Sequence, residues 1–421
     1  MHACVRSTCE INKMANDHCY FYHITKKLES IKLLIIVILL VDRQRLGAIG
    51  GGGRKDNSTS DHGQLEKWNL IRSYGRRMMM TKGSATIVNR GDGGRGGGLS
   101  PRLDPKLRNA EMNKMEIRVS QDGKGDFKTI QKAIDSIPPH NARRVLIYIH
   151  PGLYREKVHI SKKLPFLTLI AGNSSDPPKI SGNDTASDMG RDGRPLRTFH
   201  SATVAIDADY FVAVNILFEN TAKADVGRSV NGEQGVALRI TGTKAAFFNC
   251  GFYGSQDTLY DHKGLHYFKN CFIQGAVDFI FGYGRSLYQN CHLKSVAQNG
   301  VAASLTAQKR TAKSFASGFS FTNCTVTGSG SVYLGRAWGD YSRVIFSFSY
   351  LDALVLPQGW SDWGQPLRDS KVYYGEYKCS GPGANTTRRV PWARTLTKQE
   401  ALPFIGPYFI HAHSWLLQPP T

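Results

Sequence analysis

The chain has 421 residues with 54 Lys and Arg against 33 Asp and Glu, a formal net charge of +21, and 8 cysteines. That length admits one large domain with additional segments, and eight cysteines are too few for a disulfide scaffold in a chain of this size. The positive charge is spread along the chain, with 20 basic against 10 acidic residues in 1–115 and 34 against 23 in 116–421. It favours a polyanionic partner or matrix. No zinc-finger, RRM or homeodomain signature makes that partner nucleic acid, and an acidic polysaccharide satisfies the same electrostatics.

Residues 1–42 read as a targeting segment. They are polar and mixed, with Cys4, Cys9 and Cys19, up to the nine-residue apolar run Leu33–Val41. Nine residues are too few for a stable membrane span, which needs about 20, but suit a signal-peptide core; a start at Met14 would shorten the region before it. The expected location is therefore secreted. Residues 43–115 read as a disordered Gly/Arg linker, because stretches such as Gly50-Gly51-Gly52-Gly53 and Gly93-Gly94-Arg95-Gly96-Gly97-Gly98 bury too little apolar surface to become ordered.

Order is expected from Glu116. Ile117-Arg118-Val119 reads as a strand and Gln121–Gly125 as a turn. Phe127, Ile130, Ala133, Ile134 and Ile137 then recur at helical spacing, with Asp126 as the N-cap. From Val145 onward the segments are short, β-branched or aromatic, and broken by Gly, Asn and Asp. Leu146–Ile149 and Leu167–Ile170 look buried on both faces, as parallel strands are.

A repeat then dominates the chain. Phe247-Phe248-Asn249-Cys250, Phe268-Lys269-Asn270-Cys271, Tyr288-Gln289-Asn290-Cys291 and Phe321-Thr322-Asn323-Cys324 recur after 21, 20 and 33 residues, and Phe218-Glu219-Asn220-Thr221 reads as an earlier copy. Such a period with one short strand set per copy indicates a solenoid. The expected fold is all-β, a parallel β-helix over 116–410 with the short helix capping its open end and a tail at 411–421. Cys250, Cys271 and Cys291 would stack at inter-strand spacing, which suits disulfides or buried free thiols equally. Zinc is not expected, because no CxxC pair exists and His262 and His266 flank Gly264 instead of forming a metalloprotease helix. Five N-x-S/T triplets, at Asn57, Asn173, Asn183, Asn323 and Asn385, fit a secreted glycoprotein.

The register carries the chemistry. Asp257 follows Cys250 by seven residues and Asp278 follows Cys271 by seven, so on neighbouring coils they occupy one position roughly 4.8 Å apart. Two carboxylates that close cannot both ionise cheaply, which leaves one nucleophile or base and one acid. The pair alone also suits a retaining glycosidase. An aspartic protease is excluded by the absence of its Asp-Thr-Gly context. Gln256 and Gln234 add amide donors suited to an oxyanion, Arg336 can hold an ionised aspartate, and Trp338 offers a face to a sugar ring.

Six ordered segments resemble the plant pectin methylesterase (pectinesterase) family. They are Gly152-Leu153-Tyr154-Arg155-Glu156, Gln234-Gly235-Val236-Ala237-Leu238, Gly254-Ser255-Gln256-Asp257-Thr258-Leu259-Tyr260, Asp278-Phe279-Ile280-Phe281-Gly282, Leu334-Gly335-Arg336-Ala337-Trp338, and Tyr373–Tyr377 with Gly381–Ala384. The resemblance implies a right-handed parallel β-helix and a secreted, monomeric enzyme without cofactor that hydrolyses the methyl esters of homogalacturonan in the cell wall. It implies Asp278 as nucleophile, Asp257 as acid/base, Gln256 and Gln234 at the oxyanion, and Arg336 orienting Asp278 and touching substrate. Trp338, Trp360, Tyr260, Phe199 and Thr203 would line the sugar subsites. A proteinaceous pectinesterase inhibitor is an implied partner. The alternatives on the same scaffold are a lyase or glycosidase, or a non-catalytic pectin-binding protein. Ala337, Ser255, Gly235 and Lys309 depart from the usual family residues without removing a reacting group, and residues 43–115 are too glycine-rich for the family's helical pro-domain.

De-esterification turns a neutral polymer into a polyanion, which the basic surface of 116–421 should retain. Moderate NaCl should therefore hasten release of pectate and raise apparent activity. Following pectate retention and methanol release across a salt titration checks this; retention that ignores salt would contradict it.

Overall fold

The structure is a computed structural model that describes residues 103–172, 175–222 and 232–419. The targeting segment, most of the linker and the triplets at Asn57 and Asn173 lie outside the described residues. Strands pair in parallel in three stacked sheets, one of eleven strands and two of eight, with an additional two-stranded pair. The chain is a right-handed parallel β-helix.

One coil defines the pattern. Ala245–Phe248 lies in the eleven-stranded sheet, Gly251–Tyr253 in the second and Leu259–Asp261 in the third. The next coil repeats it as Leu265–Lys269, Phe272–Gly275 and Ile280–Gly282. The coils stack in register, with Phe247 on Phe268, Phe252 on Ile273 and Tyr260 on Phe281.

Each residue of the repeated motif has a separate task. The first aromatic points into the core, so Phe247, Phe268, Tyr288, Phe321 and Phe346 form a stack with successive ring centroids 4.8, 4.6, 4.5 and 4.4 Å apart. The asparagine makes the corner between the first two sheets. Asn215, Asn249, Asn270, Asn290 and Asn323 have φ of 58, 52, 55, 56 and 56°, a region that Asn tolerates better than most residues. Their amides bond from coil to coil, Asn249 to Asn215 at 3.2 Å, Asn270 to Asn249 at 3.2 Å, Asn290 to Asn270 at 3.4 Å and Asn323 to Asn290 at 2.9 Å. The cysteine turns inward. Cys250, Cys271, Cys291 and Cys324 are buried free thiols, and burial pushes the Cys250 thiol up to about 12.

The register corrects one reading. The copy preceding Phe247 is Ala213-Val214-Asn215-Ile216, because Ala213 pairs with Phe247. Phe218–Thr221 has the motif's look but not its place: Phe218 pairs with Phe252 in the second sheet. Asn220 is buried and donates to the Asp184 and Val236 carbonyls.

The expected helix is present as Ile130–Asp135, with Ile130, Ala133 and Ile134 buried in the core. Asp126 is not its cap, since its carboxylate accepts from the Arg118 N–H at 2.7 Å. The free N–H groups of Ile130 and Gln131 donate instead to the two oxygens of Glu156, both at 3.0 Å. A long-range carboxylate serves both the orphan donors and the positive helix end.

Order begins before Glu116. A further helix, Pro105–Met112, starts from an Asp104 cap and buries Leu107 and Ala110. It belongs to a second apolar cluster with Phe404 and Trp415. Residues 411–419 are likewise packed: Trp415 is buried, its indole donates to the Ile410 carbonyl at 2.9 Å, and the Asp104 N–H donates to the Ser414 carbonyl at 2.8 Å.

The corner residues should be measurably stabilising. Asn270→Ala is expected to cost about 2 kcal/mol, from left-handed strain plus the lost amide bonds, and Asn270→Gly about 1 kcal/mol, from the bonds alone. Denaturant midpoints compare the two; an equal loss would remove the backbone-strain account.

Candidate active site

The third sheet presents alternate residues outward. Its strands Leu259–Asp261, Ile280–Gly282, Thr306–Gln308 and Gly335–Ala337 place Tyr260, Phe281, Ala307 and Arg336 in one row. This row floors a cleft of ≈ 620 Å³ whose lining includes Gln234, Gln256, Asp257 and Asp278.

Asp257 and Asp278 precede their strands at equivalent corners, with φ of 65 and 49°. The Asp257 N–H donates to the Val277 carbonyl at 3.1 Å, and the Asp278 N–H to the Ser304 carbonyl at 2.7 Å. These bonds fix the two carboxylates on consecutive rungs. Asp257 is 9% exposed and Asp278 4%. Arg336 Nε donates to both oxygens of Asp278, at 2.8 and 3.0 Å, and Nη2 to Oδ2 as well. Ala307 stands between the coils of Arg336 and Asp278, and its methyl group leaves the guanidinium room to cross. Arg336 Cζ lies 3.7 Å over the Trp363 ring, so the tryptophan covers a face of the guanidinium while Asp278 takes its edge.

The two acids have different surroundings. Burial pushes the Asp257 carboxyl well above the usual range, and the neighbouring Asp278 pushes it further, with Arg336 opposing. Burial also raises Asp278, and the Arg336 charge and hydrogen bonds pull it only part of the way back, so it too stays above the usual range. The site thus favours the protonated form more strongly at Asp257 than at Asp278, whose ionised form Arg336 pairs.

Gln256 and Gln234 both reach the cleft. Gln234 Nε2 donates to Thr198 Oγ1 at 3.1 Å, which leaves its second N–H to offer. Phe199, Tyr260 and Trp338 are there too. Tyr260 stacks on Phe281 at 4.3 Å and meets Phe199 edge-on at 6.3 Å, and Trp338 leans on Phe281 at 6.0 Å.

Two expected subsite residues are elsewhere. Thr203 is buried, donates to the Glu219 carbonyl at 2.9 Å and borders a different cavity. Trp360 is 1% exposed, stacks on Tyr374 at 4.6 Å and donates to Glu376. The tryptophan of this segment that reaches the cleft is Trp363. Thr198, Phe281, Arg197 and Lys309 also line the cleft, and Lys309 Nζ lies 3.9 Å over the Trp338 ring. Phe281 was findable, since it follows Asp278 by three residues as Tyr260 follows Asp257.

The two histidines are packing residues. His266 is fully buried between Asp261, at 2.6 Å, and the Gly242 carbonyl, at 2.9 Å. His262 packs edge-on against Phe199 and Tyr260, and burial with nearby Arg239 and Lys263 holds it down at about 4.

A family model described as Pectinesterase matches residues 116–413. The chain is 47% identical over 313 residues to pectinesterase QRT1 of Arabidopsis thaliana, covering 73% of this chain and 81% of that one. Among solved structures it resembles the pectin methylesterase from carrot, at 33% identity and TM-score 0.64, covering 71% of this chain and 94% of that one. It also resembles pectin methylesterase PemA from Erwinia chrysanthemi, at 27% identity and TM-score 0.60, covering 72% and 98%.

The buried acid should weaken the fold it sits in. A carboxyl raised above its unfolded value keeps its proton when folded, so stability falls as pH rises from the usual carboxylate range toward the raised value. Asp257→Asn is expected to raise Tm at neutral pH by about 3 °C or more, with the gain fading below the usual carboxylate range, where Asp257 is protonated in both states. A pH series of thermal melts checks this; a gain that does not change with pH would contradict it.

Proposed function

This chain belongs to the pectinesterase family, and from that premise we propose how its cleft performs the family's reaction. The enzyme hydrolyses methyl esters of pectin in the cell wall, and it is a carboxylic ester hydrolase. The observation that carries the reading is the unequal aspartate pair, one carboxylate clamped by Arg336 and the other buried beside it.

Asp278 attacks the ester carbonyl carbon of a galacturonate. Arg336 is its positioning residue, keeping the carboxylate ionised and aimed. The oxyanion that develops accepts hydrogen bonds from the amides of Gln256 and Gln234. Asp257 gives its proton to the departing methoxyl oxygen, so methanol leaves and an anhydride joins the galacturonate to Asp278. Asp257, now a carboxylate, takes a proton from water as that water attacks the anhydride. The galacturonate leaves as the free acid and both aspartates return to their starting states. Tyr260, Phe199, Phe281, Trp338 and Trp363 give the sugar rings flat apolar faces.

Glycoside cleavage develops positive charge at the sugar, for which two amide donors and an arginine are poorly suited. Secretion to the wall follows from this substrate and from the apolar run Leu33–Val41.

The wild type should release methanol from methyl-esterified pectin without chain shortening or new unsaturation. Asp278→Ala should release none above background. Asp257→Asn should still bind substrate but lose about 10²–10⁴-fold in kcat. Near-normal methanol release by Asp278→Ala would sink the nucleophile assignment.

A further inference from the structure

A second cavity, of ≈ 710 Å³, has a lining that the esterase reaction does not use. It contains Arg310, Lys313, Arg343, Lys371 and Arg394 against one carboxylate, Glu400. That carboxylate accepts from the N–H and hydroxyl of Thr397, both at 2.8 Å, in the capping box of the helix Lys398–Ala401 and also feels the Arg394 charge, so one acid is left to balance five cations. Among the described residues none of the five cations forms an ion pair. Arg310 Nε donates to the Phe315 carbonyl at 2.7 Å, and Arg343 Nε to the Ser317 carbonyl at 2.9 Å. Carbonyls orient these guanidiniums without neutralising them. Burial and the neighbouring Arg310 and Arg285 hold the Arg343 guanidinium down at about 10, so the cations repel one another at close range. Lys313, Lys371 and Arg394 are exposed at the rim.

Such a cavity suits an extended anion, and its place beside the cleft indicates which. Arg394 lies over the Tyr373 ring at 4.8 Å and Arg343 over Phe404 at 5.5 Å, so aromatic rings back these two cations and hold them at the cavity wall. Consecutive residues also join the two sites: Lys309 lines the cleft and Arg310 this cavity. A chain freshly stripped of its methyl groups therefore gains charge near a surface where five cations face the single carboxylate of Glu400.

We propose that this cavity is an exosite for de-esterified galacturonan, holding the polyanionic product beside the cleft through carboxylate–cation pairs. The proposal deepens the esterase reading and rests on it for the identity of the polymer. Rim cations are exposed, so each pair is worth little alone and the affinity comes from several together. Salt should loosen it accordingly.

The test uses the full chain and an unesterified decagalacturonate, with affinity measured by calorimetry at physiological salt. Lys371→Glu/Arg394→Glu should weaken binding about tenfold, while kcat/KM on a short, fully methyl-esterified oligomer stays at the wild-type value. Lys313→Glu provides a second rim variant, and thermal melts exclude misfolding. Lys309→Glu reports the cleft. Wild-type affinity in both rim variants, or loss only in Lys309→Glu, would overturn the exosite. Displacement of the decamer by duplex DNA at equal charge would overturn the galacturonan assignment and leave a generic polyanion surface. Absence of methanol release from the wild type, with rim-dependent binding retained, would count against the esterase reading alone.

Discussion

The constraint on which the structure depends is the in-register pairing of one coil on the next. Parallel pairing repeats every about 4.8 Å and tolerates no slip, because a one-residue shift turns each side chain to the other face. The aromatic stack inside and the asparagine row at the corner both enforce that register. The same register sets Asp257 beside Asp278, so the closeness of two acids follows from the scaffold and needs no local device.

That arrangement places an electrostatic cost where the fold is best able to bear it. Two carboxylates in a buried cleft would destabilise a small core, but here they sit against a continuous row of Leu, Ile, Phe and Val side chains with near-zero exposure. Arg336 reaches back across Ala307 to offset one of the two charges, and burial favours the protonated form of the other carboxyl. The outward row of the third sheet can change without disturbing the inward one. Cleft chemistry and core packing are therefore separable, and a residue such as Lys309 can enter the cleft while the stack behind it stays intact.

Much of this was legible in the sequence, and the parts that were not have physical reasons. The repeat announced the solenoid, and the seven-residue offset from each cysteine placed the aspartate pair. Trp360 was misplaced although the alternation of a strand could have settled it: Gly335 pairs with Trp360 and Arg336 with Ser361, so an outward Arg336 requires an inward Trp360. Thr203 failed differently, because the position before a strand has no fixed face and its hydroxyl is drawn to the Glu219 carbonyl. Phe218–Thr221 had the right letters on the wrong sheet. The helix Pro105–Met112 was hidden by its glycine-rich neighbourhood, although Asp104-Pro105 is a sound start signal. The cap from Glu156 could not be read locally, since it comes from 26 residues away.

The asparagine row has a consequence for modification of the chain. Of the N-x-S/T triplets within the described residues, Asn323-Cys324-Thr325 is exposed at its asparagine, yet that side-chain nitrogen already donates to Asn290 at 2.9 Å. A sugar attached there during synthesis would take one of the two hydrogens of that nitrogen, and its bulk would crowd a corner that must close on the coil below. Asn385, by contrast, engages only its carbonyl oxygen, with Thr387, and its nitrogen is open to a glycan. Of these two asparagines, Asn385 is the one whose side-chain nitrogen is not held in a coil-to-coil contact.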